Sequence, residues 1–432
     1  MRTSPSGSGV IRDSNGPLPP SAHATDRASA VIVWGVFVLT FFKGFRFPSL
    51  WCATHFTFNY SQGFVRRGLI GEIARQIGGN YVYRYNTFVI FSFVLQWTAG
   101  ILFALAAGRA FRQRTGDWNF RIALLVMCAS PGMIFLVSAV GYFDFLGLIS
   151  VLGLLLWVRK PRREYAIFYL LALLGSALAL VHEGLIVMFG PTALFIASCH
   201  ILRISETRAL TGRQRALLGL HLLMAALVVT GTVVVASTPA DPMRVKALQA
   251  FAEQHTDFFV RNDAFDVFTR TTRQNMFEAV PYFWSDSISR AVALRGEFGF
   301  APSFFFLIYF GFRELRAASS RLVRNRLAYA FLFAAIAPES MNLVAWDWPR
   351  WNAMALATTG TCIVCYRLFF PAARQAARSL SFVTIGVLLT GIGLASTTML
   401  FDRYEVQFFP FERQFLFIDN LIEGHFRFRP RS

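Results

Sequence analysis

The stretch Asn59–Ile77, NYSQGFVRRGLIGEIARQI, sets the reading of the chain. Read as a helix, it places Val65, Leu69, Ile73 and Ile77 four residues apart on one apolar stripe. Arg66 falls inside that stripe, whereas Arg67, Gly68, Gly71 and Arg75 gather elsewhere. An arginine on an apolar face either snorkels to water or meets an anion. Two glycines three apart would let another backbone or a ligand come close. The plainer alternative is an amphipathic helix lying in a membrane interface, its arginines facing lipid headgroups.

The surroundings of this stretch are strongly apolar. Of 432 residues, 55% are hydrophobic and 16% aromatic, with 47 phenylalanines and only 15% charged residues. A soluble domain carries about 25% charged residues. The apolar residues run continuously over lengths near the roughly 20 residues a bilayer needs, not in the alternation of a barrel strand. The fold class expected is all-α: a polytopic membrane protein with about eleven transmembrane helices and amphipathic helices on the outer face. The runs are 28–42, 87–107, 122–140, 143–158, 165–181, 184–202, 216–237, 298–312, 327–337, 351–366 and 380–400.

The net charge of +18 does not point to nucleic acid, because the arginines punctuate the apolar runs. Arg109–Arg121, Arg159–Arg163, Arg203–Arg215, Arg313–Arg326 and Arg367–Arg378 all fall on one side if the amino terminus is inside. Short loops dense in Lys and Arg stay cytoplasmic, which puts the carboxyl terminus outside. Residues 1–27 read as a disordered cytoplasmic tail, 28–400 as the membrane domain and 401–432 as an aromatic outer-face tail. The outer loops are 43–86, 238–297 and 338–350. In the long one, Asp241-Pro242 is a helix start, with helices expected over 243–260 and 264–280, folded across the outer face. Cys362 and Cys365 have CxxC spacing inside an apolar run and read as packing residues; no metal or cofactor is expected.

The ionisable residues that lipid packing does not explain all fall on the outer side. Asp144 stands in GYFDF, His182 and Glu183 in VHEGL, Asp347 and Arg350 in AWDWPRW. Each has a plainer reading: a helix cap for Asp144, an interfacial hydrogen bond for His182, a surface ion pair for Asp347 with Arg350. Trp346, Trp348 and Trp351 would then be an aromatic belt. Together they suit one chemistry. Arg66, Arg67 and Arg350 offer rigid forks for phosphate or pyrophosphate, and Asp144, Glu183, Asp347, Glu72 and His182 are candidates for a general base. Tyr282, Phe283 and Trp284 would supply sugar-stacking platforms.

A first outer loop with GFVRRGL, a GYFD corner, an HE corner and a late DWPRW loop resemble two groups of membrane enzymes. One is the GT-C-type glycosyltransferases; the other is the Wzy-type polymerases of bacterial exopolysaccharide and O-antigen, xanthan-type polymerases included. The resemblance implies a metal-independent glycosyltransferase of the bacterial inner membrane, acting on polyprenyl-pyrophosphate-linked saccharides at the periplasmic face. It also implies membrane lipids and the polysaccharide export machinery as partners. A GT-C enzyme would carry an acid early in the first outer loop, whereas the first one here is Glu72, which favours the polymerase. The alternatives are a GT-C transferase using a polyprenyl-phosphate donor, a transporter or flippase, and a non-catalytic membrane subunit. A transporter would place titratable groups at mid-bilayer, where this chain has little beyond Gln96.

Overall fold

The computed structural model describes residues 20–78, 83–113, 117–158, 174–203, 211–269, 274, 277, 287–316, 321–343, 347–371, 380–396, 398–399, 405–406 and 412–426. The architecture is all-α, apart from a two-stranded ladder of two residues each, β1 (Thr398–Met399) with β2 (Glu405–Val406). The elements that position the site are α1 (Pro20–Lys43), α2 (Leu50–His55), α3 (Leu69–Gly78), α4 (Tyr85–Gln113), α5 (Trp118–Ala129), α6 (Pro131–Ser138) and α7 (Asp144–Val158). They are followed by α8 (Gly184–Arg203), α9 (Gly212–Ser237), α10 (Pro242–Gln254), α11 (Ser287–Arg316), α12 (Arg321–Ile336), α13 (Trp348–Phe369), α14 (Leu380–Ala395) and α15 (Glu412–Ile422).

Each apolar run holds helix, although the run at 165–181 is described only from 174 and that at 380–400 is helical only to Ala395, with β1 at 398–399. Three single helices, α4, α8 and α9, are long and apolar enough to cross a membrane. The pair α5–α6, bent by 51° at Ser130, makes a fourth if counted as one span. Ser130 makes that break by capping α6, accepting from Met133 N, with Pro131 at its first position. Large apolar side chains stand exposed along α4 (Ile90, Val94, Trp97, Ile101), α9 (Leu222, Leu223, Val233) and α14 (Ile385, Leu388, Ile392). Exposed apolar area of that extent fits contact with lipid.

At the centre lies α13. Every residue from Pro349 to Phe369 is buried, Thr358, Thr359 and Thr361 included. The threonine hydroxyls donate back to carbonyls of their own helix, Thr359 to Ala355 O at 2.7 Å and Thr361 to Ala357 O at 2.8 Å. A helix surrounded by protein needs no lipid-facing side, so it can carry these threonines along its length.

Enclosed basic side chains fasten the two ends of the bundle. At one end Arg367 of α13 binds both Asp117, the cap of α5, and Glu314 of α11 at 2.7 Å. Arg121 lies beside them, donating to Ser29 and stacked on Trp118. Both arginines are about 97–98% buried, so neither is a loop charge facing headgroups, as the spacing of basic loops suggested. At the other end Lys43 donates to Leu394 O and Ser396 O at the end of α14. There α15 packs through Phe415 and Phe417 on Phe42 and Phe47, leaving Leu416 and Ile422 exposed.

The opening stretch is not one helix. Residues 59–68 form turns and α3 begins only at Leu69. Asn59 starts the turn, accepting from Ser61 N and donating to Thr57 O and the Tyr83 hydroxyl, and such local bonds compete with helix. Arg67 adopts a left-handed φ of 61°. Val65 therefore leaves the expected stripe for a buried cluster with Phe58, Leu248, Phe265 and Phe268. Gly71 is where another backbone comes close, since a Cβ there would lie 2.0 Å from Phe58 O.

The long loop docks beside this stretch. Asp241 caps α10, accepting from Met243 N, but the helix stops at Gln254 and not at 260. The stop comes where Tyr83 N bonds His255 O and Tyr85 N bonds the Asp257 carboxylate. Of the helix expected over 264–280, the turn Asp266–Thr269 and the isolated residues Gln274 and Phe277 are helical, and the rest beyond 269 lies outside the described residues.

Candidate functional site

At the end of the bundle that carries Lys43, turns and helix starts bring together residues far apart in sequence. Helix α2, capped by Ser49, supplies Trp51 and His55. The corner after α6 supplies Tyr142 and Asp144; it turns on Gly141 at φ 95°, where a Cβ would collide with Pro48 at 2.7 Å. The corner before α8 supplies His182 and Glu183, and the first turn of α13 supplies Asp347, Arg350 and Trp351.

Two arginine forks dominate the geometry. Arg67 donates from Nε to Glu183 Oε2 at 3.0 Å and from Nη2 to Oε1 at 2.6 Å. Arg350 donates from Nε and Nη2 to the two oxygens of Asp144 at 2.5 and 2.7 Å. The Arg350 guanidinium also lies 4.2 Å from the Tyr142 ring centroid and 4.5 Å from that of Trp351. Both forks are thus filled by carboxylates, and in the Asp347–Arg350 pair the arginine is buried and the aspartate half-buried, so it is not a plain surface pair. Arg66, also buried, donates to Ala236 O in the last turn of α9, where carbonyl dipoles favour a cation.

Asp347 is the carboxylate held loosely. It occupies the cap position of α13 yet makes no side-chain cap bond. Its Oδ2 accepts from Arg350 Nη1 at a long 3.4 Å, and its Oδ1 is buried with no hydrogen bond. Burial pushes its pKa up to about 6; the pull of Arg350 opposes this and the charge of Asp144 adds to it. Burial also disfavours the Glu183 anion, but the Arg67 guanidinium overcomes it and holds that carboxyl well below the usual range.

Two histidines complete the cluster. His182 Nδ1 accepts from Gly184 N at 3.0 Å, which places the proton of a neutral ring on Nε2. Burial, and then the nearby Arg67, push both His182 and His55 well below the usual value, so both are neutral at physiological pH. The His55 ring packs against Trp51 with centroids 3.9 Å apart and planes tilted by 39°, and its Nε2 lacks a hydrogen-bond partner among the described residues. The Trp51 ring in turn lies 5.9 Å from that of Tyr142.

No family model, curated protein or solved structure matches the chain.

The structure thus assembles Arg66, Arg67, Asp144, His182, Glu183, Asp347 and Arg350 in one neighbourhood. Glu72 is elsewhere engaged: it accepts from Arg75, Gln76 and Tyr60 N, with Arg75 holding its carboxyl down to about 2. Tyr282, Phe283, Trp284 and Trp346 lie outside the described residues. His55 and Trp51 were not singled out by sequence. They sit in no motif, and the available signal was their place on the same loop as Arg66 and Arg67. Among the described residues no group of three His, Cys, Asp or Glu is arranged to hold a metal ion.

Proposed function

We propose that the chain is a membrane glycosyltransferase acting on polyprenyl-pyrophosphate-linked saccharides at the periplasmic face of a bacterial inner membrane, as the polymerase of an extracellular polysaccharide. The observation that carries this reading is Asp347, a largely enclosed carboxylate with one buried, unpartnered oxygen and a raised pKa, near Arg350 and in the same cluster as Arg66 and Arg67. Glycosyl transfer with a pyrophosphate leaving group needs one base and one cationic clamp. In the proposed step an acceptor hydroxyl attacks the donor's anomeric carbon and Asp347 takes its proton. The bond from that carbon to pyrophosphate breaks, and the leaving oxygen keeps the electron pair.

Arg66 and Arg67 are the clamp in this scheme. Because Glu183 fills the Arg67 fork, pyrophosphate binding is an exchange of one anion for another, which leaves no bare buried cation at any stage. Arg350, locked to Asp144, positions Asp347 and does not bind phosphate.

The about eleven spans, the inside amino terminus and the outside carboxyl terminus belong to the same proposal. The site residues and the Arg367 cluster lie at opposite ends of α13, which supports alternating helix direction. Reporter fusions after Arg163 and Arg213 are expected to report cytoplasm, and one at Asp257 the periplasm; a reversed pair would refute this topology.

The functional test is the lipid-linked saccharide pool of a deletion strain. Complete repeat units should accumulate and polymer should vanish; accumulation of an incomplete unit would mean a single-sugar transferase instead. Complementation with Arg66→Lys should restore little polymer, because lysine keeps the charge but loses the planar fork. Full restoration would reduce Arg66 to a headgroup anchor.

A further inference from the structure

Three buried polar atoms around the Arg350 guanidinium lack hydrogen bonds among the described residues: His55 Nε2, Trp351 Nε1 and Asp347 Oδ1. His55 and Trp351 are 5% and 2% exposed, so bulk water does not meet this need. Leaving such a group unpaired is costly, and three in one contact chain call for a ligand. The chain is continuous: the His55 ring packs tilted against Trp51, Trp51 packs tilted against Tyr142, and Tyr142 and Trp351 flank Arg350, which reaches Asp347.

We infer that His55, Trp51, Tyr142, Trp351 and Asp347 form a subsite for a neutral polyhydroxylated ring, the saccharide part of the substrate. The chemistry of the three atoms excludes the other classes. The indole N–H can only donate and an ionised carboxylate can only accept, whereas the imidazole nitrogen takes either role. A phosphate would satisfy the indole but be repelled by Asp347. A cation would suit Asp347 but meet the indole N–H and Arg350. A hydrocarbon chain satisfies none of them. A hydroxyl both donates and accepts, so adjacent ring hydroxyls answer all three, and the apolar ring face lies on Trp51 or Tyr142. This inference rests on the glycosyl-transfer reading and adds a place for the sugar distinct from the Tyr282–Trp284 stretch.

The test compares two probes on the full chain in nanodiscs: polyprenyl pyrophosphate, and the same lipid carrying one hexose. Wild type should bind the glycosylated lipid more tightly. His55→Phe and Trp351→Phe each keep an aromatic ring but remove the polar nitrogen, and each should cut that preference by about three- to tenfold, leaving affinity for the bare lipid unchanged. Equal wild-type affinity for the two lipids would overturn the subsite while leaving a lipid-anion site standing. A preference that both variants keep in full would also overturn it. Binding of neither lipid by wild type would sink the glycosyl-transfer reading and the subsite together. If a variant does not fold, saturation-transfer NMR on the wild type decides. Irradiated aromatic protons should pass magnetisation to the hexose ring protons of the bound lipid, and its absence would refute the placement.

Discussion

Asp347→Asn should leave the protein in the membrane at wild-type level and nearly abolish polymer, lowering transfer by about 10²–10⁴-fold, the range for loss of a general base. The substitution keeps the shape and the weak bond to Arg350 but cannot accept a proton. The wild-type rate should rise with pH through about 6, the value to which burial pushes this carboxyl, and then level off. Asp347→Asn should lose that limb. Stability runs the opposite way. A carboxyl that titrates higher folded than unfolded binds more protons in the native state between about 4 and 6, so stability falls as pH rises through that window. Thermal midpoints of wild type should decline between about pH 4 and 6 more than those of Asp347→Asn. Equal transfer rates for the two proteins would remove Asp347 from the chemistry.

The helical class was legible because apolar runs in a helical membrane protein are continuous, and helix is found at each of them. The buried rank of α13 was not. Hydropathy measures preference for lipid, and a helix enclosed by protein carries threonines that look like a weak span. The same enclosure misled the count of basic loops, since Arg121 and Arg367 read as headgroup-facing charges and turn out to be internal partners of Ser29, Asp117 and Glu314. At the candidate site, the charged residues were legible because an ionisable group in an apolar chain is costly unless used. Their pairing was not, because Arg67 with Glu183 and Arg350 with Asp144 are contacts across more than a hundred residues. His55 escaped for a related reason. Its meaning comes from the Trp51 ring and the arginines around it, and a lone histidine in LWCATH carries no spacing that chemistry demands.

The Asp144–Arg350 fork should give the largest stability effects in the protein, and they should be unequal. Removing one member of a buried pair costs about 3–5 kcal/mol, because the other charge stays buried without its partner. Asp144→Asn leaves Arg350 a second anion, for Asp347 already lies 3.4 Å away and can ionise fully once the repulsion from Asp144 is gone. Arg350→Met has no such relief. It leaves two carboxylates facing each other without a cation, and it strips the stacking from Tyr142 and Trp351. The loss in thermal midpoint should therefore be greater for Arg350→Met than for Asp144→Asn. The double variant Asp144→Leu with Arg350→Met should recover most of the stability, as apolar replacement of a whole buried pair often does. It should recover no polymer, because Asp347 would have lost the group that orients it. Such a variant separates holding the fold from positioning the base. Equal loss from the two single substitutions, or transfer activity in the double variant, would show that the fork serves the fold alone.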